Sequence, residues 1–322
     1  MIRRDCARTA KDRPRLRQGL PATVRLMKLA ASLLGAGLLA LTVAGAGCGS
    51  HDRPARPYEQ PATVERLRPE VLDERPHDTA AFTEGLELSG GVLVEGTGLP
   101  GHSQLRELNP ADGTVRRNQS LSGGRFGEGV TVAGPYIWQL TWRDRVAVQW
   151  DRARLTPVRE VRFDGEGWGL CYDGSRLIRS DGTSRLRFHE PASFAETGSV
   201  PVTRSGRPVT GLNELECVGG AVWANVFPTD ELVRIDPAGG RVTAVVDASG
   251  LLPPARRTSQ TDVLNGIASL GDGTFLLTGK FWPAMFRVRF VPAGDQPRGP
   301  VNAAADPARR PRGAVRDASE SW

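Results

Sequence analysis

One short pattern recurs five times along this chain: a polar residue, a small residue and an aliphatic residue in a row. It stands as Glu84-Gly85-Leu86, Glu128-Gly129-Val130 and Asn265-Gly266-Ile267, and in looser form as Trp168-Gly169-Leu170 and Asn213-Glu214-Leu215. Successive matches begin at 84, 128, 168, 213 and 265, steps of 44, 40, 45 and 52 residues. Four short strands with their turns occupy about 40–45 residues, the length of one propeller blade. The spacing therefore predicts an all-β fold, a five-bladed β-propeller with one pocket on its axis.

Each unit repeats one grammar. An aliphatic strand runs into a glycine turn (Ser89-Gly90-Gly91, Ala133-Gly134-Pro135, Asp173-Gly174, Gly219-Gly220, Asp272-Gly273), and an alternating strand such as Tyr136-Ile137-Trp138 or Phe275-Leu276-Leu277 follows. Later turns read Asn109-Pro110-Ala111-Asp112-Gly113 and Asp236-Pro237-Ala238-Gly239-Gly240, both suited to hairpins. Helical periodicity is nearly absent. A closed ring has no free edge, so the early strand between Val64 and Leu72 is expected to complete the last blade beside Met285 to Val291.

The 38 Gly and 24 Pro among 322 residues fit this turn-rich reading, and closed β folds of this length form one domain. The organisation expected is an upstream extension over 1–26, a signal over 27–47, a flexible tether over 48–61, the propeller over 62–291 and a disordered tail over 292–322. The formal charge is +6, and much of the excess lies before Met27 and after Pro297. Nucleic-acid binding would need a basic stripe with interleaved aromatics inside the domain, and none is visible.

Residues 29–47 are apolar and uncharged, follow Arg25 and Lys28, and end in small residues before Cys48, as an export signal does. The run Gly45-Ala46-Gly47-Cys48 resembles a bacterial lipobox, which makes Cys48 the expected lipidation site; it departs from the usual pattern at Gly45, where Leu is commonest. A plain cleaved signal or a single membrane anchor are the alternatives. All three place the domain outside the cytoplasm, with the membrane as partner when the lipid is present. Of the four cysteines, Cys171 and Cys217 remain for the domain; they can pair in an oxidising compartment or stand as two inert core thiols. Their spacing is wrong for zinc, and the four histidines at 51, 77, 102 and 189 do not supply a site.

The first strand of every propeller blade lines the axis, so the aligned positions Glu84, Glu128, Trp168, Asn213 and Asn265 should converge. Phe82 and Phe126 each stand two residues before a Glu and should face the same side of the strand. Trp142 and Lys280 lie close behind. Carboxylates beside aromatic walls have their charged form disfavoured, which suits a proton shuttle near neutral pH. The bland reading is that such aromatics are core and such glutamates tie blades together through backbone N–H groups.

Eight ordered motifs carry a resemblance. They run from Pro76-His77-Asp78 with Phe82-Thr83-Glu84-Gly85-Leu86, through Phe126-Gly127-Glu128-Gly129, Gln139-Leu140-Thr141-Trp142, Glu166-Gly167-Trp168-Gly169-Leu170 and Leu212-Asn213-Glu214-Leu215-Glu216. Trp223-Ala224-Asn225-Val226, Leu264-Asn265-Gly266-Ile267 and Thr278-Gly279-Lys280-Phe281-Trp282-Pro283 complete the set. Together they resemble the plant and bacterial glutaminyl-peptide cyclotransferases over about Pro76 to Phe286. The resemblance implies a five-bladed propeller that converts the N-terminal glutamine of a peptide or protein to pyroglutamate with loss of ammonia. It further implies Glu128 as the proton-transfer residue, Glu84, Asn213 and Lys280 as polar substrate contacts, and Trp142 and Trp168 as aromatic walls. Two positions depart from the plant pattern: Glu84 replaces Gln, and Phe227 replaces Trp.

Such chemistry joins two ends of one residue, so holding a near-attack conformer matters most, and one carboxyl can carry the proton from nucleophile to leaving group. Neither metal nor cofactor is required, and a monomer is expected. A metal-dependent propeller lactonase or hydrolase and a non-catalytic ligand-binding lipoprotein are the competing functions, since Glu and Asn on a channel also bind Ca²⁺.

Overall fold

The structure is a computed structural model that describes residues 63–294. Blade 1 contains strands Thr83–Ser89, Val92–Thr97, Gln104–Leu108 and Val115–Ser120. Blade 2 contains Gly127–Ala133, Tyr136–Thr141, Val146–Asp151 and Thr156–Arg162. In blade 3 the strands are Leu170–Tyr172, Leu177–Arg179, Arg185–His189 and Glu196–Pro201, and in blade 4 they are Leu212–Val218, Ala221–Val226, Glu231–Asp236 and Arg241–Asp247. Blade 5 takes Leu264–Ser269, Phe275–Gly279 and Ala284–Pro292 from the end of the chain and Glu65–Pro76 from its start.

The closure is as expected from the sequence. Glu65–Pro76 pairs antiparallel with Ala284–Pro292, with Pro76 opposite Ala284 and Leu67 opposite Pro292. Its first residues also pair in parallel with Arg241–Asp247, which fastens blade 4 to blade 5 at the rim. Each inner strand contacts the inner strands of the blades on either side, and blade 5 contacts blade 1, so the ring is complete. A short hairpin, Thr203–Arg204 with Arg207–Pro208, interrupts the passage from blade 3 to blade 4. Among the described residues no helix is long and apolar enough to cross a membrane. The extension, signal, Cys48, the tether, and the tail beyond 294 lie outside the described residues.

The apolar core is divided into five clusters, one per blade interface. The largest, between blades 4 and 5, is built on residues such as Trp223, Leu264, Phe275 and Trp282. The smallest lies between blades 5 and 1 and contains only Leu86, Leu93, Leu108, Ala268, Leu276 and Met285 as buried members. Cys171 and Cys217 are joined in a disulfide from the inner strand of blade 3 to that of blade 4, which decides between the two alternatives open in the sequence.

The repeated small residue has a steric cause. A Cβ on Gly85 would lie 2.5 Å from Val130 N, one on Gly129 2.6 Å from Trp168 O, and one on Gly169 2.0 Å from Asn213 O. Inner strands of successive blades therefore meet backbone to backbone near the axis, and only glycine permits the approach. Blade 4 has Glu214 at this position instead. Its carboxylate accepts the backbone N–H of Leu86 at 3.2 Å and of Ile267 at 2.8 Å, so it ties three blades together across the axis. For this residue the bland reading of a channel glutamate holds, and Glu216 repeats it with the N–H of Ser269.

Candidate active site

The aligned positions do converge, and a repeated irregularity aims them. The ladder of the inner strand slips between Thr83 and Gly85, between Gly127 and Val130, between Leu212 and Leu215, and between Leu264 and Ile267. A bulge leaves residues out of the ladder and turns their side chains, so Glu84, Glu128, Asn213 and Asn265 all leave their strands at one level of the ring. Trp168 differs. The inner strand of blade 3 begins only at Leu170, so Trp168 precedes it rather than lying within it, a correction to the repeat alignment. Its carbonyl still accepts the N–H of Gly129 at 2.7 Å, which keeps it at the level of the others.

Glu84, Glu128, Asn213, Asn265 and Lys280 are all buried. Lys280 Nζ donates to Glu84 Oε1 at 2.7 Å, and Asn265 Nδ2 donates to Glu84 Oε2 at 3.1 Å and to Thr83 O at 2.9 Å. Both oxygens of Glu84 are thus held by protein donors, and Lys280 is engaged with a carboxylate before any ligand enters. Asn213 is placed by its backbone: Ser180 Oγ donates to Asn213 O at 2.6 Å and accepts the N–H of Gly169. The Oδ1 atoms of Asn213 and Asn265 are buried with no hydrogen-bond partner among the described residues. A buried acceptor without a donor costs about 1–3 kcal/mol, so two of them at one level mark a place prepared for N–H groups.

Burial, followed by the charge of Glu84, pushes the Glu128 carboxyl well above the ordinary carboxylate range; Lys280 opposes the shift and Glu166 adds to it. Burial also raises Glu84, but Lys280 pulls it back by charge and by hydrogen bond. Each carboxyl disfavours ionisation of the other, and because the Lys280 ammonium is held by Glu84, Glu128 is the more strongly raised of the two.

Aromatic rings surround these groups. Trp142, Phe126, Phe82 and Phe281 form an arc, with successive centroids 5.5, 5.8 and 5.1 Å apart. Trp168 and Phe227 meet edge to face at 5.8 Å across the mouth. Lys280 Nζ lies between the two groups, 4.5 Å from the Phe82 ring and 5.7 Å from that of Phe227. Every catalytic or substrate-binding residue nominated from the sequence is therefore placed at this mouth or directly beneath it. Glu166, which sequence reasoning missed, joins them: it accepts both indole N–H groups, from Trp142 at 2.8 Å and Trp168 at 3.0 Å. The signal was present, because Glu166 stands two residues before its aligned position, as Phe82 and Phe126 do before theirs. Among the described residues no group of three or more His, Cys, Asp and Glu side chains is arranged to hold a metal ion.

The glutamine cyclotransferase family model matches residues 39–290, which takes in every strand named above except the last two residues of Ala284–Pro292. The chain belongs to the glutamine cyclotransferase family. Within reach of that family it is 38% identical over 231 residues to the glutaminyl-peptide cyclotransferase of Arabidopsis thaliana, covering 70% of this chain and 72% of the relative. The crystal structure of Myxococcus xanthus glutaminyl cyclase superposes with a TM-score of 0.66 at 39% identity, over 71% of this chain and 98% of that one. A glutamine cyclotransferase fold thus brings two carboxyls, one lysine and two free amide oxygens together inside an aromatic rim.

Proposed function

We propose that this chain is a glutaminyl-peptide cyclotransferase, which closes the N-terminal glutamine of peptides and proteins to pyroglutamate with release of ammonia. The observation that carries the reading is the buried Glu128 carboxyl, pushed toward its protonated form beside a Glu84–Lys280 ion pair. An acid of this kind can give its proton to one nitrogen and take one from another.

The α-nitrogen attacks the γ-carbonyl carbon of its own residue, a C–N bond forms, and the γ C–N bond breaks. Glu128 delivers its proton to the departing amide nitrogen and receives one from the α-nitrogen, so it ends the cycle as it began and the products are a lactam and ammonia. Lys280 and the Asn213 side-chain amide are the donors able to meet charge on the γ-oxygen. The free oxygens of Asn213 and Asn265 accept substrate N–H groups. Trp142, Trp168, Phe82 and Phe126 hold the side chain folded for ring closure, which supplies most of what an intramolecular reaction needs. The decisive experiment incubates purified protein with a Gln-initiated peptide and follows mass: loss of ammonia supports the reading, and an unchanged peptide refutes it.

The Cys171–Cys217 disulfide supports an extracytoplasmic home, because such bonds persist in oxidising compartments. We infer further that Cys48 is the lipid-bearing residue of an anchored form. Detergent partitioning of wild-type and Cys48→Ala chains tests this, with release of the variant into the aqueous phase as the expected result.

A further inference from the structure

Glu166 has a geometry that the cyclisation chemistry does not by itself require. Its single oxygen Oε2 accepts the Nε1–H of Trp142 at 2.8 Å and of Trp168 at 3.0 Å, so two walls that come from different blades end on one atom. The other oxygen lies 3.5 Å from Arg143 Nε, and the Arg143 guanidinium covers the Trp142 ring at 3.9 Å from its centroid. Trp168 is confined on its far side as well. Gly182, at φ +74°, lies so close that a Cβ there would be 2.7 Å from the indole, while Phe227 meets the ring edge-on. Neither indole can turn without losing a charge-assisted hydrogen bond or striking a neighbour.

We propose that Glu166 is a positioning residue: by gathering both indole N–H groups on one carboxylate oxygen it sets the gap between Trp142 and Trp168 in which the glutamine side chain is gripped. The inference rests on the cyclotransferase reading above. It assigns Glu166 no contact with the reacting atoms; its action passes through the two rings. A glutamine at this position retains one carbonyl oxygen that can accept both N–H groups, whereas leucine retains none. The carboxylate charge also bears on Glu128, so the amide separates the geometric from the electrostatic part.

The test compares wild type, Glu166→Gln and Glu166→Leu in cyclisation of a Gln-initiated peptide across pH. The indole N–H resonances of Trp142 and Trp168, assigned through Trp→Phe variants, are followed in parallel. Glu166→Leu is expected to raise KM roughly tenfold with a smaller change in kcat, as loss of a charge-assisted pair of hydrogen bonds implies. Both indole resonances should move upfield in that variant. Glu166→Gln is expected to restore KM to within about twofold and to keep the resonances downfield, while the limb of the pH profile that follows Glu128 moves to lower pH. Wild-type protein that makes no pyroglutamate overturns the reading on which the inference rests. Wild-type protein that cyclises, with Glu166→Leu matching it in KM and in both resonances, overturns the positioning role alone. An equal rise in KM for the Gln and Leu variants also overturns it, since that pattern would mean direct recognition of substrate by the charge.

Discussion

Glu95 in blade 1 and Glu128 in blade 2 are equally shut away from water, yet the protein drives their protons in opposite directions. Burial pushes both upward. At Glu95 it is outweighed by the hydrogen bond and charge of His77 at 2.9 Å, by Arg106 at 3.4 Å and by the Thr83 hydroxyl at 2.8 Å, and the carboxyl falls below its ordinary range. His77 is drawn toward its charged form there. Its Nδ1 faces the Trp282 carbonyl at 2.9 Å and the Thr278 hydroxyl at 3.2 Å while Nε2 faces Glu95, an arrangement that favours donation from both nitrogens. Burial opposes that charge, but Glu95 more than restores it and the imidazole is raised. Among the described residues the one cation acting on Glu128, Lys280, already belongs to Glu84, and the charges of Glu84 and Glu166 push the other way. The local count of charges, and not depth, decides which buried acid is ionised. The balanced network joins the end of the early strand to blades 1 and 5, where the apolar cluster is smallest; the unbalanced one faces the mouth.

The same substitution made at each site should separate the two. Glu128→Gln is expected to lower kcat by about 10²–10⁴-fold, the usual contribution of a positioned acid–base group, with little change in urea unfolding because a neutral acid becomes a neutral amide. Glu95→Gln is expected to cost about 3–5 kcal/mol of stability, since it leaves His77 and Arg106 as buried cations facing each other. That loss should be smaller at alkaline pH, where His77 can shed its proton. Equal stability of Glu95→Gln and wild type at pH 6 would remove the contrast between the two networks.

Residue spacing made the ring and the four bulged side chains legible because both follow from a period: glycine is required where the inner strands of blades 1, 2 and 3 meet the next blade, and the polar residue before the repeat's second position is the one a bulge expels. Partners are not periodic. Lys280 meets Glu84 across 196 residues, and nothing in Thr278-Gly279-Lys280 tells that its amine is taken by a carboxylate. Asn265 looked like a substrate contact, and its Nδ2 is spent on Glu84 and Thr83 while only its oxygen stays free. Glu95 lay inside Val94-Glu95-Gly96, where a lone charge between small or apolar residues reads as the solvent side of a strand. Its burial follows from His77, which the strand Glu65–Pro76 delivers to the junction of blades 5 and 1. Cys171 and Cys217 occupy similar positions in neighbouring repeats, but whether two such residues touch depends on how the blades turn about the axis.

The disulfide extends the comparison to a third interface. Blades 3 and 4 already share an apolar cluster that includes Ile178, Leu212 and Val222, so the bond is added to a good core instead of replacing one. Closing a loop of sequence separation 46 removes up to about 4 kcal/mol of unfolded-state entropy in the chain-entropy account. Cys171→Ala with Cys217→Ala should therefore lower unfolding stability by about 2–4 kcal/mol while kcat changes less than about twofold. A large loss of kcat at full folding would mean that the bond aligns Asn213, four residues before Cys217, and is part of the site.

The smallest effect concerns Glu87, below the mouth on the inner strand of blade 1. Burial pushes its carboxyl up to about 7, against the pull of the Thr131 hydroxyl, the Val132 N–H and the charge of Arg152. A carboxyl raised on folding stabilises fully below its unfolded value near 4.5 and loses that contribution as pH rises through the folded value near 7. Glu87 therefore resembles Glu128 in direction and is opposite to Glu95. Both hydrogen bonds end on Oε2, so an amide can keep them through its one oxygen. Glu87→Gln is expected to leave stability at pH 5 nearly unchanged and to raise it by about 1–2 kcal/mol at pH 8, with the magnitude reduced by the partial solvent access of the side chain. Urea unfolding at the two pH values checks this directly. A parallel shift at both would show that Glu87 acts through packing, and that the charge count which separates Glu95 from Glu128 does not extend down the channel.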